Sequence, residues 1–391
     1  MRRKLLVLNI FPTVFPPASG GTLRYFHIYH ELSHYYDITL LSQSNNNKGS
    51  VIEYSPSFRE YLAERDPLYL KIRQQLHVAA RSYELPLIMC LELANHPALY
   101  KKYFKKLYHS SDIIIHESPY LLDYDIYFNQ DKKPRIFNSH NHEYALAKQI
   151  WQDEKAREYL SRLYEAEQRL SSYADLIFAT SGEQREEFIR SYGLDSQKVR
   201  LAPNGINTDE WLPRRKKAAG RPKALFIGAH YPPNIQAVKF IIDQLADKCP
   251  NMDFIIAGGC CSPFRKHRKG NVKLLGSVRH KQKLSLFAEA DIAINPVIAG
   301  SGVNIKTLEF LSAGIPLFST VCGVRGLELV DQKHYIHAEH EDFADILNKF
   351  AGRHELLNVV AANGQKSINS RFSWKSIAGN IYDAIEETLS T

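Results

Sequence analysis

The chain has 391 residues, enough for two or three domains of ordinary size. Hydrophobic residues make up 44% and charged residues 24%, which excludes disordered, collagen-like and coiled-coil chains, and the longest apolar run, Leu85 to Leu91, is far short of the roughly 20 residues a bilayer-spanning helix needs. Fifty Lys and Arg against 42 Asp and Glu leave a net charge of +8 and point to an anionic partner: nucleic acid, acidic lipid or a phosphorylated small molecule.

In chain order, the basic start and apolar run of Met1 to Ile10 mimic a secretory signal, but Asn9 and Pro12 cut the run short and no small-residue cleavage site follows. It reads as a first strand, Leu5 to Ile10, and the chain as cytoplasmic. Further strands are predicted at Ile38 to Ser42, Asp112 to His116, Arg135 to Asn138 and Asp175 to Thr180. Helices are predicted from about Thr22 to His34, Pro97 to His109 and, as one long element, Glu143 to Ser171. An aromatic-rich helix is read around Phe58 to Val78. The second half repeats the alternation with strands at Ala224 to Ile227, Asp253 to Ala257, Val272 to Leu275, Asp291 to Asn295 and Ile315 to Ser319. The fold class is α/β, with two Rossmann-like doubly wound domains facing a cleft, and the polar, proline-bracketed stretch Pro213 to Pro222 between them. Five cysteines without C-x-x-C spacing give neither a disulfide framework nor a zinc site.

Ligands of such sheets bind at the carboxyl ends of the strands, so the loops there carry the chemistry. After the strand ending near Pro296 comes Ala299-Gly-Ser-Gly302, then a helix from about Val303 to Ala313. The glycines allow close approach to a ligand and the helix start attracts anions, a geometry suited to phosphate. Gly302, Lys306, Glu309 and Ala313 share one helix face, an unusual place for a charge pair unless a ligand or the solvent meets it. Gly300-x-Gly302 lacks the third small residue of a dinucleotide fingerprint and lies too deep in its domain. Gly20-Gly21, after the first strand, forms a second candidate loop, for a phosphate or a reacting sugar.

Two clusters leave alternatives open. His140 and His142 beside Glu143 could ligate metal or contact a polar substrate. Asp123-Tyr-Asp125 has the D-x-D form that holds metal-nucleotide complexes, a form that also recurs by chance in loops. The segment Leu99 to Leu107 pairs an apolar stripe with Lys101, Lys102, Lys105 and Lys106: either an interfacial helix on anionic lipid or a packed helix with a solvated lysine face. Basic runs are scattered and no nucleic-acid-binding pattern accompanies them, so nucleic acid is not expected as a partner.

Taken together, PPASGG, FNSHNHE, DLIFATSGEQ, KVRLAPNGINTDEW, ALFIGAHYPPN, NVKLLGSV, GSGVNIKTLEFLSAGIPLFST and FSWKSIAGNIYDAIEETL resemble the GT-B fold glycosyltransferases of the retaining family 4 type, the glycosyl transferases group 1. The resemblance spans essentially the whole chain. It implies a nucleotide-sugar donor, metal-independent transfer with retention of configuration, and a role in polysaccharide biosynthesis. Glu309 matches the glutamate that holds the ribose hydroxyls. Backbone amides of Ser301, Gly302 and Val303 would meet the pyrophosphate, Gly276 and Val278 the base, and Gly20 and Gly21 the phosphate, while His140 matches the histidine near the reacting sugar. Asn234 closes the PPN form. Ser301 stands where many members carry a further glutamate, and Gly228 to Asn234 lacks the usual Arg and Lys. Lys306 is the candidate to neutralise the leaving phosphate.

The expected division is residues 1–205 on the acceptor side, a linker over 206–222, a donor domain over 223–374 and a helix over 375–391 returning to the first domain. No metal and no cofactor is expected. Expected partners are the donor, a glycan or lipid-linked acceptor, and the inner face of an anionic membrane through peripheral contact. The alternatives are a nucleotide-sugar epimerase on the same fold and a non-catalytic sugar-nucleotide-binding subunit.

Overall fold

The computed structural model describes residues 2–9, 15, 17, 20–44, 48–76, 85–93, 98–128, 132–151, 153–212, 220–267, 269–300 and 303–390. Contacts divide the chain into two units, Met1–Pro203 with Ile377–Thr391, and Asn204–Ser376.

The first unit holds one sheet of β1 (Lys4–Leu8), β2 (Asp37–Gln43), β3 (Ser50–Ser55), β4 (Phe58–Ala63), β5 (Ile113–His116), β6 (Arg135–Asn138), β7 (Leu176–Ala179) and β8 (Val199–Leu201). Their order is β3-β4-β2-β1-β5-β6-β7-β8, parallel except for β3 against β4. Short runs such as Ile113-Ile-Ile-His116, buried at every position, form interior strands because helices cover both faces. Strand order reverses between β1 and β5, so a crevice opens beyond their carboxyl ends.

The second unit repeats the plan with β9 (Lys223–Ile227), β10 (Asp253–Ala257), β11 (Val272–Gly276), β12 (Ile292–Asn295), β13 (Leu317–Ser319) and β14 (Ile336–His337), ordered β11-β10-β9-β12-β13-β14. Here the reversal falls between β9 and β12.

Three readings of the sequence are corrected. Phe58 to Ala63 is a strand, not the start of a helix: Phe58 and Glu60 turn inward at a period of two, and Glu60 is held by the Tyr54 hydroxyl at 2.6 Å. Helix begins only at Leu68, running to Gln75. The long helix from Glu143 is three pieces, Glu143–Ile150, Glu154–Arg157 and Leu160–Tyr173. Trp151 leaves the helical path to bury its ring, and the Asp153 carboxylate restarts the helix by accepting from Lys155 N at 2.9 Å and Ala156 N at 3.2 Å. The assigned linker begins too early. Ile206 is buried in the second unit and bridges to Ser373, and Trp211 stacks on Phe287 at 5.0 Å. Residues 213–219 of that linker lie outside the described residues.

Helix Ala98–Tyr108 buries Tyr100, Phe104 and Leu107 in the core of the first unit, leaving Lys101, Lys102, Lys105 and Lys106 in solvent. Its apolar stripe is therefore spent on packing, and only the lysine face can meet a partner. No helix among the described residues is long and apolar enough to cross a membrane.

Candidate active site

In the first unit, Glu117 follows β5 and Asn138 ends β6, adjacent strands held in register by Ile115 against Ile136 and His116 against Phe137. Their side chains meet. Glu117 Oε1 accepts from Asn138 Nδ2 at 2.7 Å and from the Tyr29 hydroxyl, while Oε2 lies 2.6 Å from His140 Nε2. A carboxylate only accepts, so His140 carries its proton on Nε2. Nδ1 looks the other way, towards Gly21, where a side-chain carbon would stand 3.6 Å from it. Gly20 and Gly21 begin the helix Gly20–Leu32.

Behind this pair lies Arg24, 1% exposed. Its guanidinium donates to Asn138 Oδ1 at 2.7 Å, Ala202 O at 2.6 Å and Pro203 O at 3.0 Å. The bond to Oδ1 fixes the Asn138 amide so that its Nδ2 faces Glu117. Burial pulls the Arg24 guanidinium down to about 10, with the Glu117 charge opposing.

His140 and His142 do not converge on one ligand. His142 is buried, its ring against Tyr192 at 5.1 Å, and its Nδ1 accepts from Ala145 N at 3.2 Å. Burial pulls it down to about 4. The D-x-D carboxylates also part company. Asp125 is fully buried between His116 Nε2 at 2.8 Å and Arg135, whereas Asp123 pairs with exposed Arg169 at 2.6 Å.

In the second unit, the chemistry gathers where β9 and β12 diverge. Lys306 lies on the helix Ile305–Ser312 that follows β12. Its ammonium donates to Asn234 Oδ1 and sits 4.8 Å from the centre of the buried Phe226 ring at the end of β9. Among the described residues it has no ion-pair partner, and burial pulls it down to about 8, with the Glu309 charge opposing. Asn234, on helix Pro232–Phe240, is held in turn by donating to Ala229 O at 3.1 Å.

Glu309, one helical turn on, pairs with Lys283 of helix His280–Glu289 rather than with Lys306. The two charges of the helix are thus separately partnered, not a surface pair with each other. The Val303 side chain is buried in the core beside Leu308. Ser301 and Gly302 lie outside the described residues. Gly300, just before them, has a φ of 130° that favours glycine, and its carbonyl accepts from Arg325 at 2.6 Å. Gly276 lines a cavity of about 640 Å³ with Cys261 and Ser262, and Val278 lines one of about 600 Å³ with Gln282. Ser277 and Leu275 belong to both.

Two family models match this chain. The glycosyl transferases group 1 model matches residues 221–352 and the glycosyltransferase family 4 model residues 62–210, together more than two thirds of the length. The chain belongs to the group 1 glycosyltransferases. A curated relative, D-inositol 3-phosphate glycosyltransferase 2 of Catenulispora acidiphila, is 22% identical over 57% of this chain, and the match spans 58% of the relative's length. Sucrose-phosphate synthase from Thermosynechococcus elongatus superimposes over all of both chains with a TM-score of 0.73 at 16% identity. Anabaena HepE in complex with UDP-glucose does so over 98% of this chain and 99% of its own with a TM-score of 0.68 at 14% identity. These likenesses give the fold, two Rossmann-like domains of the GT-B kind.

Two partners in this glycosyltransferase escape a reading of its sequence. Glu117 and Lys283 hold the singled-out His140 and Glu309. Glu117 had a local signal, since it directly follows the strand Ile113–His116 at the end where ligands bind. Lys283 had none, being one of two lysines on the helix His280–Glu289.

Proposed function

We propose that this glycosyltransferase moves a sugar from a nucleotide-sugar to a glycan or lipid-linked acceptor, with retention of anomeric configuration and without a metal ion, in cell-envelope or exopolysaccharide synthesis in the cytoplasm. Lys306 carries the reading. It is a half-buried cation at the start of a helix, at the switch point of a doubly wound sheet, with an amide oxygen and a ring face for partners. That is an incomplete environment for a cation and a suitable one for a diphosphate. HepE, whose structure holds UDP-glucose, shares the fold and supports a donor of that class.

Negative charge builds on the diphosphate as the glycosidic bond breaks, and an ammonium already in place stabilises that charge more than it stabilises the bound donor. Lys306 supplies the charge for which other enzymes use a divalent cation, and Asp123 and Asp125, facing different partners, form no pair to hold one. Glu309, steadied by Lys283, offers its second oxygen to the ribose hydroxyls. The Nε2–H tautomer of His140 leaves Nδ1 to accept from a hydroxyl of the transferring sugar. The exposed lysines of helix Ala98–Tyr108 give an anionic acceptor or its membrane a place to rest.

The test is the anomeric configuration of the product, read by proton NMR in the presence of EDTA. An α-linked donor is expected to yield an α-linked product at an undiminished rate. A β-linked product, or loss of transfer restored by magnesium, would contradict the reading.

A further inference from the structure

His140 sits on a short link, Ser139 to His142, between β6 and the helix Glu143–Ile150. The β6 end of the link is fixed by Ser139 N donating to Phe178 O at 3.0 Å and by the Asn138 bonds already described. The helix end is fixed by a residue from elsewhere. Glu167, on helix Leu160–Tyr173, is fully buried. Its Oε1 accepts from Glu143 N at 2.7 Å. Its Oε2 accepts from Tyr144 N at 3.0 Å and from the Tyr192 hydroxyl at 2.7 Å, and lies 3.2 Å from His142 Nδ1.

The first amides of a helix lack partners within the helix and are ordinarily met by a local cap or by water. Here His142 meets one, and Glu167 reaches across to meet two more. It does so from a core position, between Leu163 and Leu170 on the same helix face, where an apolar side chain would pack at less cost. Burial pushes its carboxyl up to about 8.

We propose that Glu167 is a positioning residue for His140: without reaching the substrate, it locks the first helical turn and so holds the link on which His140 meets Glu117. The inference rests on the glycosyl-transfer reading only for its kinetic consequence, since the placement of His140 can be read without any reaction.

The experiment compares Glu167→Gln, of the same shape, and Tyr192→Phe, which removes one donor from the same carboxylate, with the parent chain. In 15N-histidine NMR spectra, with the His140 signals assigned by their loss in His140→Gln, the parent is expected to show the Nε2–H tautomer. Glu167→Gln is expected to shift those signals towards a tautomer mixture, and Tyr192→Phe to shift them less in the same direction. Turnover at saturating donor is expected to fall about tenfold in Glu167→Gln, with donor KM within about twofold, as befits a catalytic group displaced from its working geometry. His140 signals unchanged in the folded Glu167→Gln variant would overturn the proposal, as would a raised donor KM at unchanged kcat. If no donor is ever turned over, the NMR result still decides it.

Discussion

Lys306→Met is expected to lower turnover by roughly 10²- to 10³-fold, on the order of 3 to 4 kcal/mol of transition-state stabilisation, the usual loss when one preorganised donor to a developing anion is removed. The same substitution should raise the melting temperature at pH 7. The folded protein holds the ammonium near 8, below its value in the unfolded chain, so the native state binds fewer protons across the window from about 8 up to the ordinary lysine range. Stability therefore rises with pH through that window, and below it the full penalty of carrying this cation is present. Methionine removes the penalty and keeps most of the length of the stem. A variant both more heat-resistant and nearly inactive is the signature of a residue kept for its chemistry. Unchanged turnover, measured at saturating donor, would remove Lys306 from the mechanism.

Glu117→Gln is expected to cost roughly 10²-fold in turnover, within the range attributed to a positioned proton-transferring or orienting group. The carboxylate accepts on both sides: Tyr29 and Asn138 donate to Oε1 and His140 to Oε2. A carboxamide has one acceptor oxygen and one NH2 group, so one side must face a donor with a donor. Arg24 holds the Asn138 amide and burial keeps the Tyr29 phenol protonated, so the amide oxygen stays with them and the NH2 faces His140. The ring must then present its lone pair at Nε2 and move the proton to Nδ1, the wrong tautomer for accepting from a sugar hydroxyl. Stopped assays at several donor concentrations separate the expected fall in kcat from any change in KM. A Glu117→Gln enzyme as fast as the parent would show that the tautomer is irrelevant.

The architecture was legible because parallel strands buried on both faces read as short apolar runs, as Ile113–His116 and Leu176–Ala179 do, and their carboxyl ends then name the loops. Lys306, Glu309, Asn234 and His140 stood out as polar residues at those ends or on the helices that follow. Their hydrogen-bond partners did not. Glu117 lies 23 positions from His140, and Asn234 lies 72 from Lys306, pairings set by strand order rather than by spacing. Glu167 was hidden for a different reason. In sequence it is one acidic residue in a helix rich in Glu and Arg, and only packing shows that it faces inward beside Leu163 and Leu170. The helix misread at Phe58 shows the reverse error, in which aromatic content outweighed an inward period of two.

The central claim, that the second unit awaits a nucleoside diphosphate with Lys306 as its cation, is tested most directly by calorimetric titration. UDP-, GDP-, ADP- and dTDP-sugars would each be titrated at pH 8 in EDTA, in two buffers of different ionisation heat. With the free ammonium near 8, a bound diphosphate should restore its proton and draw about half a proton from the buffer per site. At least one donor is expected to bind the parent chain with that uptake, and Lys306→Met to bind it more weakly and without uptake. Binding by none of the four, or equal binding and equal uptake in Lys306→Met, would contradict the account.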